Sequence, residues 1–195
     1  FKTKAKPTAE ADDKFVPAKL WTDWARLVAF SQSTVAGIVI LQKALKQIPM
    51  AEPDHVVILL ELLGAKLMAG DEAEGTGDFT DIFQRILLLA PGFQEMQDIE
   101  EPSFGISNVS IACLQYLRHK SGKEGVAGAR VVYNAVIFQS SLGKSMAAEC
   151  NESIKAFVDE AIEAEMNEDK STAAAKNRLR RLYDVAVEAF TDTPL

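Results

Sequence analysis

Two cysteines and two histidines in 195 residues leave little material for a metal centre or for acid–base chemistry. Cys113 and Cys150 have no histidine at metal-ligand spacing, so they read as two reduced, buried thiols. The two Glu-x-x-His motifs that a di-iron bundle needs are not both present, and no nucleophile has an evident histidine partner. Only a carboxylate site assembled from distant residues would escape such a search. The expectation is a protein that is not an enzyme, with no catalytic residue, no metal and no cofactor. Apolar runs of the ~18 residues that a membrane span requires are also lacking, the longest being broken at Gly64 or Asn134. No secretory leader is recognisable, which deprives Asn108-Val109-Ser110 and Asn151-Glu152-Ser153 of weight as glycosylation acceptors. The location expected is the cytoplasm or a virion.

Strand-like segments are scarce as well, and that scarcity decides the reading of Arg130 to Cys150, RVVYNAVIFQSSLGKSMAAEC. As a strand, VVYNAVIF would run into Gly143-Lys144-Ser145 and suggest a phosphate-binding turn. Such a loop needs a glycine five residues before Gly143, to aim backbone N–H groups at the phosphates, and Phe138 holds that position. It also needs a parallel sheet, and no other stretch supplies clear strands. The segment therefore reads as a helix, apolar on nearly every side and surrounded by others.

What is present is ordinary for a soluble globular chain: 48% apolar and 25% charged residues, enough for one domain or two small ones. The net charge of −7 argues against an overall electrostatic grip on nucleic acid or anionic membrane, while leaving room for a local basic patch.

Residues 1 to 19, with Pro7, Pro17 and mixed charge, show no period and read as an extended arm. Phe15 and Val16, followed by Pro17, are its docking residues, for a groove on the same molecule or on a neighbour. From Leu20 to Ile48 a helical stripe recurs, weakened at Ser31 to Thr34 and at Gly37, giving one long helix or two. Trp21 and Trp24 read as core anchors. Glu52-Pro53-Asp54 opens the next helix, which Gly70 ends, with His55 solvated or satisfied by a capping carbonyl. Asp71, Glu72 and Glu74 lie in a glycine-rich connection without the spacing of a calcium loop. Asp78 caps a helix that Pro91-Gly92 stops. Residues 93 to 102 are a polar link. A further helix from Ser103 to His119 precedes a turn at Ser121 to Gly128 and then the central apolar helix.

The last two helices carry opposite charge. The first has Ile154, Phe157, Val158, Ala161 and Ile162 as its stripe and Asp159, Glu160, Glu163 and Glu165 among its acids. The second begins with Lys176, Arg178, Arg180 and Arg181. The turn NEDKST would fold them into an antiparallel pair. Two uses compete for the basic cluster. With Lys144 it could grip nucleic-acid phosphates, Tyr133 or Tyr183 stacking on a base; or it pairs with the acidic helix beside it, which adjacency favours.

The fold expected is all-α, a bundle of seven to eight helices. It would comprise an arm (1–19), an N-terminal lobe (20–92), a link (93–102) and a C-terminal lobe (103–195), the lobes being separate or continuous. The function expected is non-enzymatic self-assembly through the N-terminal arm, in the manner of a viral nucleoprotein or capsid-type protein coating RNA or another nucleic acid. The alternative is a helical adaptor that takes a partner's helix or peptide in an inter-lobe groove.

Overall fold

A computed structural model describes residues 16–70, 79–94, 106–140, 152–167 and 172–190. These form α1 (Ala18–Ser31), α2 (Thr34–Gln47), α3 (Pro53–Ala69), α4 (Phe79–Gln94), α5 (Ile106–Tyr133), a π-helical turn (Asn134–Gln139), α6 (Glu152–Met166) and α7 (Ala173–Phe190). Among the described residues there are seven α-helices and no strand, so the chain is all-α.

Local signals account for several boundaries, but Pro91-Gly92 does not stop α4, which continues to Gln94. The weak stretch after Ser31 is a break: Ser33 starts α2 by accepting a hydrogen bond from the Ala36 amide on its side-chain oxygen at 3.2 Å. Pro53 occupies the first turn of α3 with Asp54 beside it, and Gly70 ends that helix. The residues around Asp78, which include its expected cap for α4, lie outside the described residues.

Helices α1, α2 and α3 pack in succession, with α4 and α5 against α3, α6 against α5, and α7 against α6. One apolar cluster runs through them, from Ile38, Leu41, Leu59 and Leu63 to Val109, Leu117, Phe157 and Leu182. Gly37 lets α1 and α2 meet closely: a Cβ there would lie 2.8 Å from the Ala25 carbonyl oxygen and 2.9 Å from the Ala29 side chain.

The turn expected at Ser121 to Gly128 is instead a corner of one residue within α5. Helical structure continues on both sides of Gly125, whose φ of 63° and ψ of −151° leave the helical region. Glycine alone takes such angles without strain. The corner is sharp, because a Cβ on Gly128 would collide with the Lys120 carbonyl eight residues earlier, whereas a straight helix separates such residues by about 12 Å.

Val131 to Phe138 is helical, which removes the phosphate-loop alternative. Its surroundings differ from expectation in one respect: Val132, Tyr133 and Val136 are fully buried, but Val131 is exposed and Ile137 and Phe138 only half-buried. The final turn is widened, the Ser140 amide donating to the Ala135 carbonyl. Of the two tryptophans only Trp21 is a core anchor; Trp24 stacks on it with ring centres 5.5 Å apart and is half exposed.

Candidate assembly groove and basic helix

Small side chains on α1 and α3 leave a groove of about 870 Å³ between these helices and α5. Ala25 and Ala29 supply one wall, Gly64 and Ala65 the second, and Ile111 and Ala112 the third. Nothing lies within 4 Å of where a Cβ on Gly64 would sit. The rim is charged and fixed. Arg26 of α1 grips Glu61 of α3 through two hydrogen bonds, at 2.7 and 2.8 Å, and Asp54 accepts the first amide of α1, from Ala18, at 2.6 Å. With Lys19 and Asp23, the rim carries three acids and two bases.

Phe15 lies outside the described residues, Val16 is exposed, and Pro17 is both the residue before α1 and part of the groove wall. The backbone at Pro17 is extended, with φ −56° and ψ 147°, and a proline also confines the residue before it to extended angles.

Compared with protein-family models, curated proteins and solved structures, the chain has no significant match. The geometry alone therefore bears on function. Among the described residues no helix is long and apolar enough to cross a membrane. Nor do three or more His, Cys, Asp or Glu side chains gather there where they could hold a metal ion.

The basic residues of α7 are divided between two tasks. Arg178 turns inward, its Nε 3.2 Å from both carboxylate oxygens of Glu165. Arg181 lies over the Phe138 ring, 4.0 Å from its centre. Lys176 and Arg180 are exposed, and Tyr183 presents part of its ring beside them while its hydroxyl donates to the Met166 sulfur. Lys144 lies outside the described residues. Two cations of α5 are drawn to acids, Arg118 to Glu160 and Lys120 to Glu124.

The polar cluster under α7 was not anticipated. Glu165 is fully buried and accepts hydrogen bonds from Arg130, Tyr133 and Arg178. Burial pushes its carboxyl up, but those hydrogen bonds outweigh burial and hold it at about 2. Burial, and then the bond to Glu165, push the Tyr133 hydroxyl well above its ordinary value. The signal was in the sequence: Glu165 continues the stripe Ile154, Phe157, Val158, Ala161, Ile162 by a further step of three, so an acid stands at a core position.

His55 is also buried. Its Nδ1 lies 2.9 Å from the Ile48 carbonyl that ends α2, and its Nε2 is 2.8 Å from the Arg85 guanidinium of α4. A guanidinium only donates, so Nε2 accepts and Nδ1 carries the proton: the ring is neutral. The capping-carbonyl reading describes half of this arrangement. Arg85 supplies the rest, leaving the ring no lone pair for proton transfer. Cys113 is a buried thiol, pushed up to about 12 by burial, with little thiolate to react at neutral pH. Cys150 lies outside the described residues.

Proposed function

We propose that this is a non-enzymatic assembly protein in which residues 1–16 of one copy lie in the α1–α3–α5 groove of a neighbour. What supports this is the place where the arm joins the body, on the groove wall at Pro17. The extended backbone there carries the chain off the end of α1 without reversing it. Fifteen extended residues reach about 50 Å, more than twice the ~21 Å length of the fourteen-residue α1. Lys2, Lys4 and Lys6 of the arm would complement an acid on the rim, Asp23.

A second partner follows from the outer face of α7. Lys176, Arg180 and Arg181, with the exposed ring of Tyr183, offer cations and a stacking surface to RNA or another nucleic acid. Together the two surfaces suit a protein that coats nucleic acid as a capsid-type or nucleoprotein subunit does, in the cytoplasm or a virion.

Light scattering on the full chain tests the arm directly. The mass is expected to rise with concentration, to fall to no more than two chains when residues 1–16 are deleted, and to fall likewise in Gly64→Leu, at a position where a Cβ has no neighbour within 4 Å. Equal masses for the full chain and both variants would overturn the proposal. A monomer with arm-to-groove crosslinks inside one chain would transfer the groove to the adaptor reading, in which a partner's peptide displaces the arm.

A further inference from the structure

We infer that the outward face of α1 is a second self-association surface, and that its occupant is the same face of another copy, the two helices pairing about a two-fold axis. Leu20, Trp24, Leu27 and Phe30 are 60, 47, 65 and 93% exposed. They follow one another by four, three and three residues, the spacing of a seam between paired helices. Single exposed apolar side chains are common on a monomer, but four adjoining ones form a patch.

The face lies opposite the groove. Ala25 and Ala29 line the groove, while Leu20, Trp24 and Leu27 occur about half a turn of helix away. A neighbour's arm in the groove therefore leaves the seam uncovered.

Area and pattern favour a second copy as the occupant. At roughly 150–250 Å² for a large side chain, the exposed fractions amount to about 500 Å² per copy. Two copies would remove about 1,000 Å², near the lower limit for a specific interface. The seam also fits itself. In an antiparallel pairing with Trp24 opposite Leu27, the large Leu20 meets the small Ser31, and Asp23 is the one charged side chain on the same stripe. A lipid surface suits it less well, because the chain carries a net charge of −7, which anionic headgroups repel.

Deleting residues 1–16 separates this contact from the arm contact. Sedimentation of the truncated protein should show a dimer that dissociates on dilution. Leu27→Lys with Phe30→Lys, both at exposed positions, should raise the dissociation constant at least ~100-fold while leaving the thermal midpoint unchanged. The only two tryptophans of the chain lie on α1, so emission should shift to the blue with concentration in the truncated protein and stay fixed in the double variant. A truncated protein that is monomeric at every concentration, or a dimer that survives the double substitution, would overturn the inference. Failure of the arm proposal reads differently, as a full chain no heavier than the truncated one.

Discussion

The hydroxyl of Tyr133 donates to the Glu165 carboxylate at 2.6 Å across 32 residues of sequence, with both side chains removed from solvent. This bond joins the end of α5 to the end of α6, and Arg178 brings α7 to the same carboxylate. The C-terminal helices thus share one polar centre inside an apolar cluster. Such a centre tolerates no other register, because a shifted helix would leave a charge buried without its partners.

Glu165→Gln is therefore expected to destabilise the fold by about 2–4 kcal/mol in urea denaturation, since it removes the buried charge on which two guanidinium groups converge. Tyr133→Phe should cost less, about 1.5–2 kcal/mol, the value of one bond to a charged acceptor. The acid limb of the stability profile carries the same information. The Glu165 carboxyl drops from its ordinary 4.5 to about 2 in the fold, so its contribution is complete above pH 4.5 and is lost as the pH falls toward 2. In Glu165→Gln that part of the acid transition should be missing.

His55 gives a second pH dependence in a different window. Burial lowers its pKa below the ordinary 6.5, opposed by the bond to Ile48 and assisted by the positive charge of Arg85. The unfolded chain then binds a proton more readily than the folded one, so the ring's contribution is full above pH 6.5 and declines below it. The urea midpoint should fall from pH 7.5 to pH 5.5. In His55→Asn the protein should be less stable throughout and this part of the slope should vanish; an unchanged slope would mean that the ring is not held neutral.

These two groups also mark how far the sequence could be read. The helical class followed from periodicity, and the phosphate-loop alternative failed on one residue, Phe138. Helix ends marked by Ser33, Pro53 and Gly70 were legible because capping is a local matter. Long-range pairings were not. Nothing near His55 announces Arg85, thirty residues away, and Ser121 to Gly128 looks like a loop because its glycines, which serve close approach at a corner, have the same composition as a turn. The groove was illegible for a related reason: it consists of small residues on three helices, and only packing turns their smallness into space. Glu165 was the exception, an acid on an apolar stripe that could have been recognised as buried.

Gly37 tests the packing of the lobe that holds the groove. Alanine would raise local helix propensity by about 1 kcal/mol, yet its Cβ would lie 2.8 Å from a backbone oxygen of α1. Overpacking of this kind costs about 1–3 kcal/mol. The backbone cannot yield as a side chain tip would, so the clash should prevail: Gly37→Ala is expected to lower the urea midpoint, with a net loss of up to about 2 kcal/mol. A gain in stability would mean that α1 and α2 are less closely apposed.

The basic helix permits a cleaner test of nucleic-acid binding than its charge suggests, because Arg178 differs from its neighbours. Its guanidinium is bonded to Glu165, so Arg178→Ala should lower stability by about 1–2 kcal/mol and leave the salt dependence of RNA binding alone. Lys176→Glu with Arg180→Glu, both exposed, should do the reverse. Stability should hardly change, while affinity for single-stranded RNA falls and the slope of log affinity against log salt flattens by about 1.4, or 0.7 for each phosphate contact removed. Titrating a fluorescent oligonucleotide at several salt concentrations measures both. An unmutated protein that binds no RNA would remove nucleic acid from the proposed function, and the arm and the groove would then have to account for the assembly alone.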